Sequence, residues 1–330
     1  MNTIPLLEPL AADLELVEQK MQEPVHPEYP QLAMVLQGLL DSGGKRLRPA
    51  LALLAGRLYP AEKEKLVSLA ASVELLHTAT LVHDDLIDGA LVRRGNTTLN
   101  ARWSAGATVL AGDYLFARAA SLAAETQNVR VMDIFSQTLM TICTGELRQI
   151  FDRNDVPQLV DEQDWETALN RYDVRINAKT ASLFAAATEA AAVLGEAPEG
   201  EVNALRDYGQ LLGAGFQIID DVLDFQGDQE VLGKPVGSDL REGIVTLPVL
   251  YYLRAHPDDE RVASVIRNGD QDHLVRQVVA AVRESGAVDQ ALERARDLIK
   301  QSQQSLQTLP GGPSKHTLYA LADYAVSRQR

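Results

Sequence analysis

The chain has 330 residues, 46% of them hydrophobic and 23% charged, the balance of a globular protein able to bury a core rather than of a disordered one. Lys+Arg 31 against Asp+Glu 46 leaves a formal net charge of −15, a field that repels nucleic acid and argues against polyanion binding in general. The single Cys143 excludes an internal disulfide framework and any multi-cysteine metal centre, and reads as a small buried hydrophobe.

In chain order the elements read as helices. The opening Met1-Asn2-Thr3-Ile4-Pro5 lacks the basic start and apolar stretch of a signal peptide. No apolar run is expected to reach the roughly 18 residues of a membrane span, so no transmembrane segment and a cytoplasmic setting are expected. Gly43-Gly44 separates two helices. Residues 66–82 are apolar on nearly every side and predict a helix inside the molecule. Alanine-rich stretches at 105–124 and 181–194 predict further central helices in close approach. A polar connection containing Pro157 runs over 152–164, and Gly195 to Gly200 ends a long helix. Residues 226–243, with Gly227, Gly233, Pro235, Gly237 and Gly243, form the one long non-helical stretch. A loop of that length inside a compact domain is usually functional. Pro257-Asp258-Asp259 is a turn, and Ala287, Ala291, Ala295, Leu298 and Leu306 mark the buried stripe of an outer helix over 287–308. Pro310-Gly311-Gly312-Pro313 precedes the last helix. Strand signals are nearly absent. The expected fold class is all-α, in a single domain over 1–330.

Two aspartate clusters carry the chemistry. The first, His83-Asp84-Asp85-Leu86-Ile87-Asp88, ends the apolar helix, and the i,i+4 pair Asp84 and Asp88 projects from one face. The second, Asp220-Asp221-Val222-Leu223-Asp224, repeats its spacing after the apolar stretch 211–219. Carboxylates at a helix C-terminus oppose the macrodipole and one another, which costs stability unless something cationic sits there. Mg²⁺ suits such a place, because it takes one or two carboxylates, keeps waters, and completes its shell with substrate phosphates. One cluster alone also reads as a solvated acidic patch. An EF-hand does not fit, because Leu86 stands where the third loop position needs an oxygen.

Basic residues flank both clusters. Gly43-Gly44-Lys45-Arg46-Leu47-Arg48-Pro49 brings three cations to a helix start, a place that otherwise favours anions. By itself this also reads as a surface basic turn. Arg93-Arg94-Gly95 follows the first cluster, Lys179-Thr180 opens an alanine-rich stretch, and Lys234 lies in the long loop. His77 stands two helical turns before Asp84, where a lone histidine is more often structural.

Together these motifs resemble the trans-isoprenyl diphosphate synthases (polyprenyl synthetases), of medium- or long-chain type. The match runs over about 43–248, with a family-like ending in Tyr324-Ala325-Val326-Ser327-Arg328. The resemblance implies one large helical bundle around a central cavity (the isoprenoid synthase fold), usually a homodimer. It implies that Asp84, Asp85 and Asp88, with Asp220, Asp221 and Asp224, form the catalytic acidic centre. Three Mg²⁺ per site are expected, with Asp84, Asp88 and Asp220 as ligands. Arg93, Lys179, Thr180, Gln217 and Lys234 would contact the allylic diphosphate. Lys45, Arg48, His77 and Arg94 would hold isopentenyl diphosphate.

The implied chemistry is the loss of diphosphate from the allylic substrate, attack by the isopentenyl double bond, and loss of a proton to the released diphosphate. No side-chain nucleophile is needed. In the family, aromatic residues one turn before the first aspartate go with short products. Here Ala79 and Thr80 form the expected chain-length floor, which implies a medium- to long-chain product deliverable to a membrane. Where the family often shows a lysine after the loop aspartate, this chain has Ile244. The alternatives are a shorter-product geranylgeranyl or farnesyl diphosphate synthase, a terpene cyclase, a head-to-head synthase, and a non-catalytic regulatory subunit of a heteromeric synthase. The low aromatic content, 5%, speaks against the cyclase, whose cavity steers cations with aromatic faces.

Overall fold

Small side chains set how closely these helices approach. The computed structural model describes residues 4–23, 33, 37–39, 44–93, 95–152, 162–226, 236–268 and 272–327. After a 3₁₀ turn at Pro5–Leu10 come helices α1 (Ala11–Gln22), α2 (Leu47–Gly56) and α3 (Lys63–Ile87). A two-stranded antiparallel hairpin, β1 (Val92–Arg93) with β2 (Asn96–Thr97), follows α3. Then come α4 (Ala105–Glu125), α5 (Val129–Asp152) and α6 (Trp165–Ile176), a π-helical turn at Asn177–Ala181, α7 (Ser182–Leu194) and α8 (Glu199–Gln226). The remaining helices are α9 (Ser238–Arg241), α10 (Leu247–Ala255), α11 (Glu260–Asn268), α12 (Asp272–Glu284), α13 (Ala287–Ser305) and α14 (Pro313–Ser327). The all-α fold class follows directly.

The chain clusters into two compact units, each assembled from three segments. The first comprises Met1–Thr138, Leu183–Gly209 and Ser305–Leu321. Its centre is α3, packed against α1, α2 and α4. Ala70, Ala71, Ser72 and Ala79 of α3 are buried, as are Ala111, Ala119 and Ala123 of α4. At this distance the Ser72 hydroxyl donates to the Ala119 carbonyl (2.7 Å), satisfying a polar group inside the interface. A Cβ at Gly112 would collide with the His83 ring, so glycine is what admits that histidine. Helix α4 starts at Ser104, which accepts from the Ala107 amide as an N-cap. Gly89, at φ +65°, turns the chain out of α3.

The second unit comprises Leu139–Ser182, Gln210–Gln304 and Ala322–Arg330. Its core gathers Tyr172 and Ile176 of α6, Ile218, Ile219, Val222 and Phe225 of α8, and the inward faces of α10 to α13. The predicted stripe of α13 is there: Ala287, Ala291 and Ala295 are buried.

Four expectations need correction. Cys143 is exposed: Ile142 and Gly145 face inward on α5, which turns position 143 about 100° away from Ile142. Helix α3 is, by length and composition, apolar enough to span a membrane, but 72% of its apolar window is buried within the fold. The hairpin β1–β2 occupies the stretch after the first aspartates, held by Gly95 at φ +79° and by the Thr98 amide bonding to the Leu91 carbonyl. The region 226–243 is not wholly irregular, since α9 forms within it; residues 227–235 lie outside the described residues.

Close approach at Gly209 of α8 gives a direct test of this packing. A Cβ there would lie 2.5 Å from the Phe184 carbonyl oxygen and 2.7 Å from Ala185 Cα, whereas one at Gly200 would meet nothing within 4 Å. Gly209→Ala is expected to destabilise by about 1–3 kcal/mol, read as a lowered Tm. Gly200→Ala is expected to be neutral or stabilising by up to about 1 kcal/mol. Equal Tm values for the two variants would contradict this packing.

Candidate active site

In the first unit, α3 carries its chemistry on one stripe. Asp84 and Asp85 lie in its last turn and are buried, and Asp88 is its exposed C-cap, with its amide donating to the Asp84 carbonyl (2.8 Å). That last turn holds no basic residue. The hairpin brings Arg93 back onto the acids: its Nε donates to Asp85 Oδ1 (2.6 Å). Burial pushes the Asp85 carboxyl up from its ordinary range, and the Arg93 contact works against that shift. Residues Asp84, Thr80, Leu76, Val73 and Leu69 follow at i,i+3/i+4 spacing along α3.

Leu69, Ser72, Val73 and Leu76 line an apolar pocket, closed by Phe135 and Thr138 of α5 and by Leu183 and Ala186 of α7. At 1.5 Å per residue, Leu69 lies about 22 Å along the helix from Asp84. Ala79 is fully buried, and the Thr80 hydroxyl donates to the His77 carbonyl (2.7 Å); neither position carries a bulky or aromatic side chain.

The same unit holds the basic turn. Lys45 is exposed and Arg48, in the first turn of α2, is half-buried with its guanidinium 4.8 Å from the centroid of the Phe184 ring. Arg46 points elsewhere: its Nη1 donates to Glu74 of α3 (2.7 Å) and its Nε to Glu18 of α1 (3.2 Å). Burial opposes the Arg46 charge, but Glu74 and then Glu18 outweigh it and hold the guanidinium above its usual pKa. His77 is half-buried on α3, three residues after Glu74. Arg94 lies outside the described residues.

In the second unit the π-helical turn Asn177–Ala181 presents Lys179 and Thr180. Single π turns inside helices recur at functional sites because they shift the register of the side chains that follow. Lys179 pairs with Glu146 of α5 (2.9 Å). A hydrogen-bonded chain runs from this turn to the second aspartate cluster on α8. The Thr180 hydroxyl donates to Gln217 Oε1 (2.7 Å), and Gln217 Nε2 donates to Asp221 Oδ1 (3.0 Å). The Tyr172 hydroxyl donates to Asp221 Oδ2 (2.7 Å). Asp221 is 3% exposed, and burial pushes its pKa up to about 6 against the pull of Gln217, Arg175 and Tyr172. The same burial, with the adjacent carboxylate, holds the Tyr172 hydroxyl well above its ordinary pKa.

Asp224 is equally enclosed, accepting from the Ser238 hydroxyl (2.7 Å) and from the Ser238 and Asp239 amides (3.2 Å each) at the start of α9. Asp220 is half-buried. Lys234 lies outside the described residues. Arg175, 5.3 Å from the Tyr172 ring centroid, donates to the Val245 carbonyl (2.8 Å), next to Ile244.

Sequence reading missed Tyr172, Arg175, Glu146, Glu74 and Glu18. Tyr172, Arg175 and Lys179 do stand at i, i+3 and i+7, a helical stripe ahead of a recognised motif, which was the available signal. Glu74, Glu18 and Glu146 sit far from their partners in sequence and gave none.

The aspartates of both clusters offer oxygen donors, the set a hard divalent cation prefers. Among the described residues no three His, Cys, Asp or Glu side chains form a ready-made metal cage. Mg²⁺ takes few protein ligands and leaves positions for water and phosphate.

A model of the polyprenyl synthetase family matches residues 29–282. The chain is 38% identical over 322 residues to heptaprenyl diphosphate synthase component 2 of Geobacillus stearothermophilus, covering 97% of each chain. Among solved structures, a decaprenyl diphosphate synthase from Rhodobacter capsulatus superposes with a TM-score of 0.88 at 38% identity over 98% of each chain. A polyprenyl synthase from Caulobacter crescentus CB15, complexed with calcium and isoprenyl diphosphate, gives 0.86 at 36% identity over 98% of this chain and 97% of that one. The chain therefore belongs to the polyprenyl synthetase family, the trans-isoprenyl diphosphate synthases, among its medium- and long-chain members.

Proposed function

We propose that this protein condenses isopentenyl diphosphate head-to-tail onto an allylic diphosphate and repeats the step to a medium- or long-chain trans-polyprenyl diphosphate. One observation carries the reading. Two Asp-Asp-x-x-Asp motifs each close a long helix whose last turn has no basic residue, and carboxylates gathered at the negative end of a helix suit a divalent cation. Mg²⁺, three per site, is the proposed cation, with Asp84, Asp88 and Asp220 as its protein ligands. When bound, it neutralises charge on the departing diphosphate.

The chain's own residues do the rest. Arg93, Lys179, Thr180 and Gln217, joined by Lys234, orient the allylic diphosphate, while Lys45, Arg48 and His77, with Arg94, hold isopentenyl diphosphate. Diphosphate leaves with the electron pair of its C–O bond, the isopentenyl double bond attacks the allylic carbon, and a proton passes to the released diphosphate. Asp221 and Asp224 position rather than ligate, because donors from Tyr172, Gln217, Ser238 and Asp239 already engage their oxygens. The growing chain enters along the Thr80–Leu76–Val73–Leu69 stripe, which carries no aromatic side chain.

The proposal takes both compact units as one catalytic domain, a homodimer as the working assembly, and the cytoplasm as its setting, with product passing to a membrane. A second reading is favoured by the name of the Geobacillus relative, a component 2: a subunit of a heteromeric synthase.

Purified chain with Mg²⁺, isopentenyl diphosphate and an allylic primer is expected to form polyprenyl diphosphates unaided, and to stop on chelation of the metal. No product without a second protein would favour the heteromeric reading. Asp84→Asn and Asp220→Asn are each expected to lower turnover about a hundredfold or more in folded protein; intact turnover in either overturns the assignment. Ala79→Phe should shift products shorter by chromatography, and an unchanged distribution would remove this residue from the floor. Tyr172→Phe leaves one Asp221 oxygen buried without its donor. The expected cost is about 1–3 kcal/mol of stability, with reduced turnover, and a wild-type Tm would show that the bond is not made.

A further inference from the structure

The basic turn contributes three cations in four positions, yet the structure uses them differently. Lys45 is exposed and Arg48 lies over an aromatic ring, while the Arg46 side chain is only 10% exposed and is committed to two carboxylates, one of them, Glu74, itself 7% exposed. The backbone of Arg46 is unusual as well. Its φ of 49° and ψ of 34° lie in the left-handed region, which is unfavourable for any residue with a Cβ. Helix N-caps are normally extended, and this one makes no side-chain cap bond. An arginine kept in such a conformation at a helix start must be held there by what its side chain gains.

What it gains is the clamp on α1 and α3. Its carbonyl meanwhile accepts from the Ala50 amide (3.1 Å), opening α2. The same residue thus fixes the start of α2 through its backbone and ties that start to Glu74 through its side chain. Glu74 stands one turn before His77 on α3, so the clamp sets the cationic turn against the helix that carries the histidine. A planar guanidinium with two nitrogens on two separate acids is suited to this, where a lysine would offer a single point charge.

We propose that Arg46 is a positioning residue: clamped by Glu74 and Glu18, it presents Lys45 and Arg48 to the anionic substrate bound at this turn without touching that substrate. This rests on the assignment of the turn to isopentenyl diphosphate made above.

The test is steady-state kinetics on folded variants, with both substrates varied in turn. Lys45→Ala serves as the reference and is expected to raise KM for isopentenyl diphosphate about tenfold or more. Arg46→Gly keeps the left-handed turn accessible while deleting the clamp, and Glu74→Gln removes the charge partner. Each is expected to raise KM for isopentenyl diphosphate about tenfold, with KM for the allylic primer within about twofold of wild type. The double variant should be no worse than the poorer single, because both break one interaction. Glu18→Gln, which weakens only the longer contact, is expected to shift the same KM less and keeps the test available if a stronger variant fails to fold. Unchanged isopentenyl diphosphate KM in these variants, or equal rises in both KM values, would overturn the clamp. Unchanged KM in Lys45→Ala would instead overturn the substrate assignment of the turn, and the clamp's role with it.

Discussion

Three carboxylates at the negative end of a buried helix are unstable unless each finds a donor or a cation, and this chain builds that situation twice. The structure answers part of it. Some acids are satisfied internally: Asp85 by Arg93, Asp221 by Tyr172 and Gln217, Asp224 by Ser238 and the Asp239 amide. At Asp84, Asp88 and Asp220 the proposed function places a metal ion. The division matters because a carboxylate oxygen already accepting strong hydrogen bonds is a poorer ligand. The i,i+4 spacing places the acids, and the proposed function sorts them by their hydrogen-bonded neighbours into positioning groups and ligands.

The same economy runs through the basic residues. Arg46 spends its charge on Glu74 and Glu18, and Lys179 is paired with Glu146. Cations and anions around both motifs are therefore coupled, so neutralising one member disturbs the partner left buried behind it. Backbone irregularities stand at the same places. The left-handed Arg46 precedes α2, and the π turn carries Lys179 and Thr180. In each case a departure from regular helix aims side chains that an ideal helix would point elsewhere.

Much of this was legible beforehand. Alanine-rich runs and apolar periodicity foretold α3, α4, α7 and α13, because a helix declares its buried face every three or four residues. Family resemblance in the acidic and basic motifs supplied the chemistry. Cys143 is exposed because helix phase, not residue type, sets its direction, and the two-residue strands of the hairpin carry no alternation to detect. The apolar interior of α3 is legible over 66–82, and its burial within the fold, not its composition, distinguishes it from a membrane span.

From the sequence alone came the long helices, the all-α class, the repeated Asp-Asp-x-x-Asp spacing and the family it resembles. All of these are written in short-range pattern. Only tertiary structure decided that Tyr172 bonds Asp221 across 49 positions, that Arg46 meets Glu74 across 28, and that Asp224 anchors α9 rather than facing solvent. A hydrogen bond depends on distances of about 3 Å between groups that chain folding brings together, and no local period encodes which distant partner arrives.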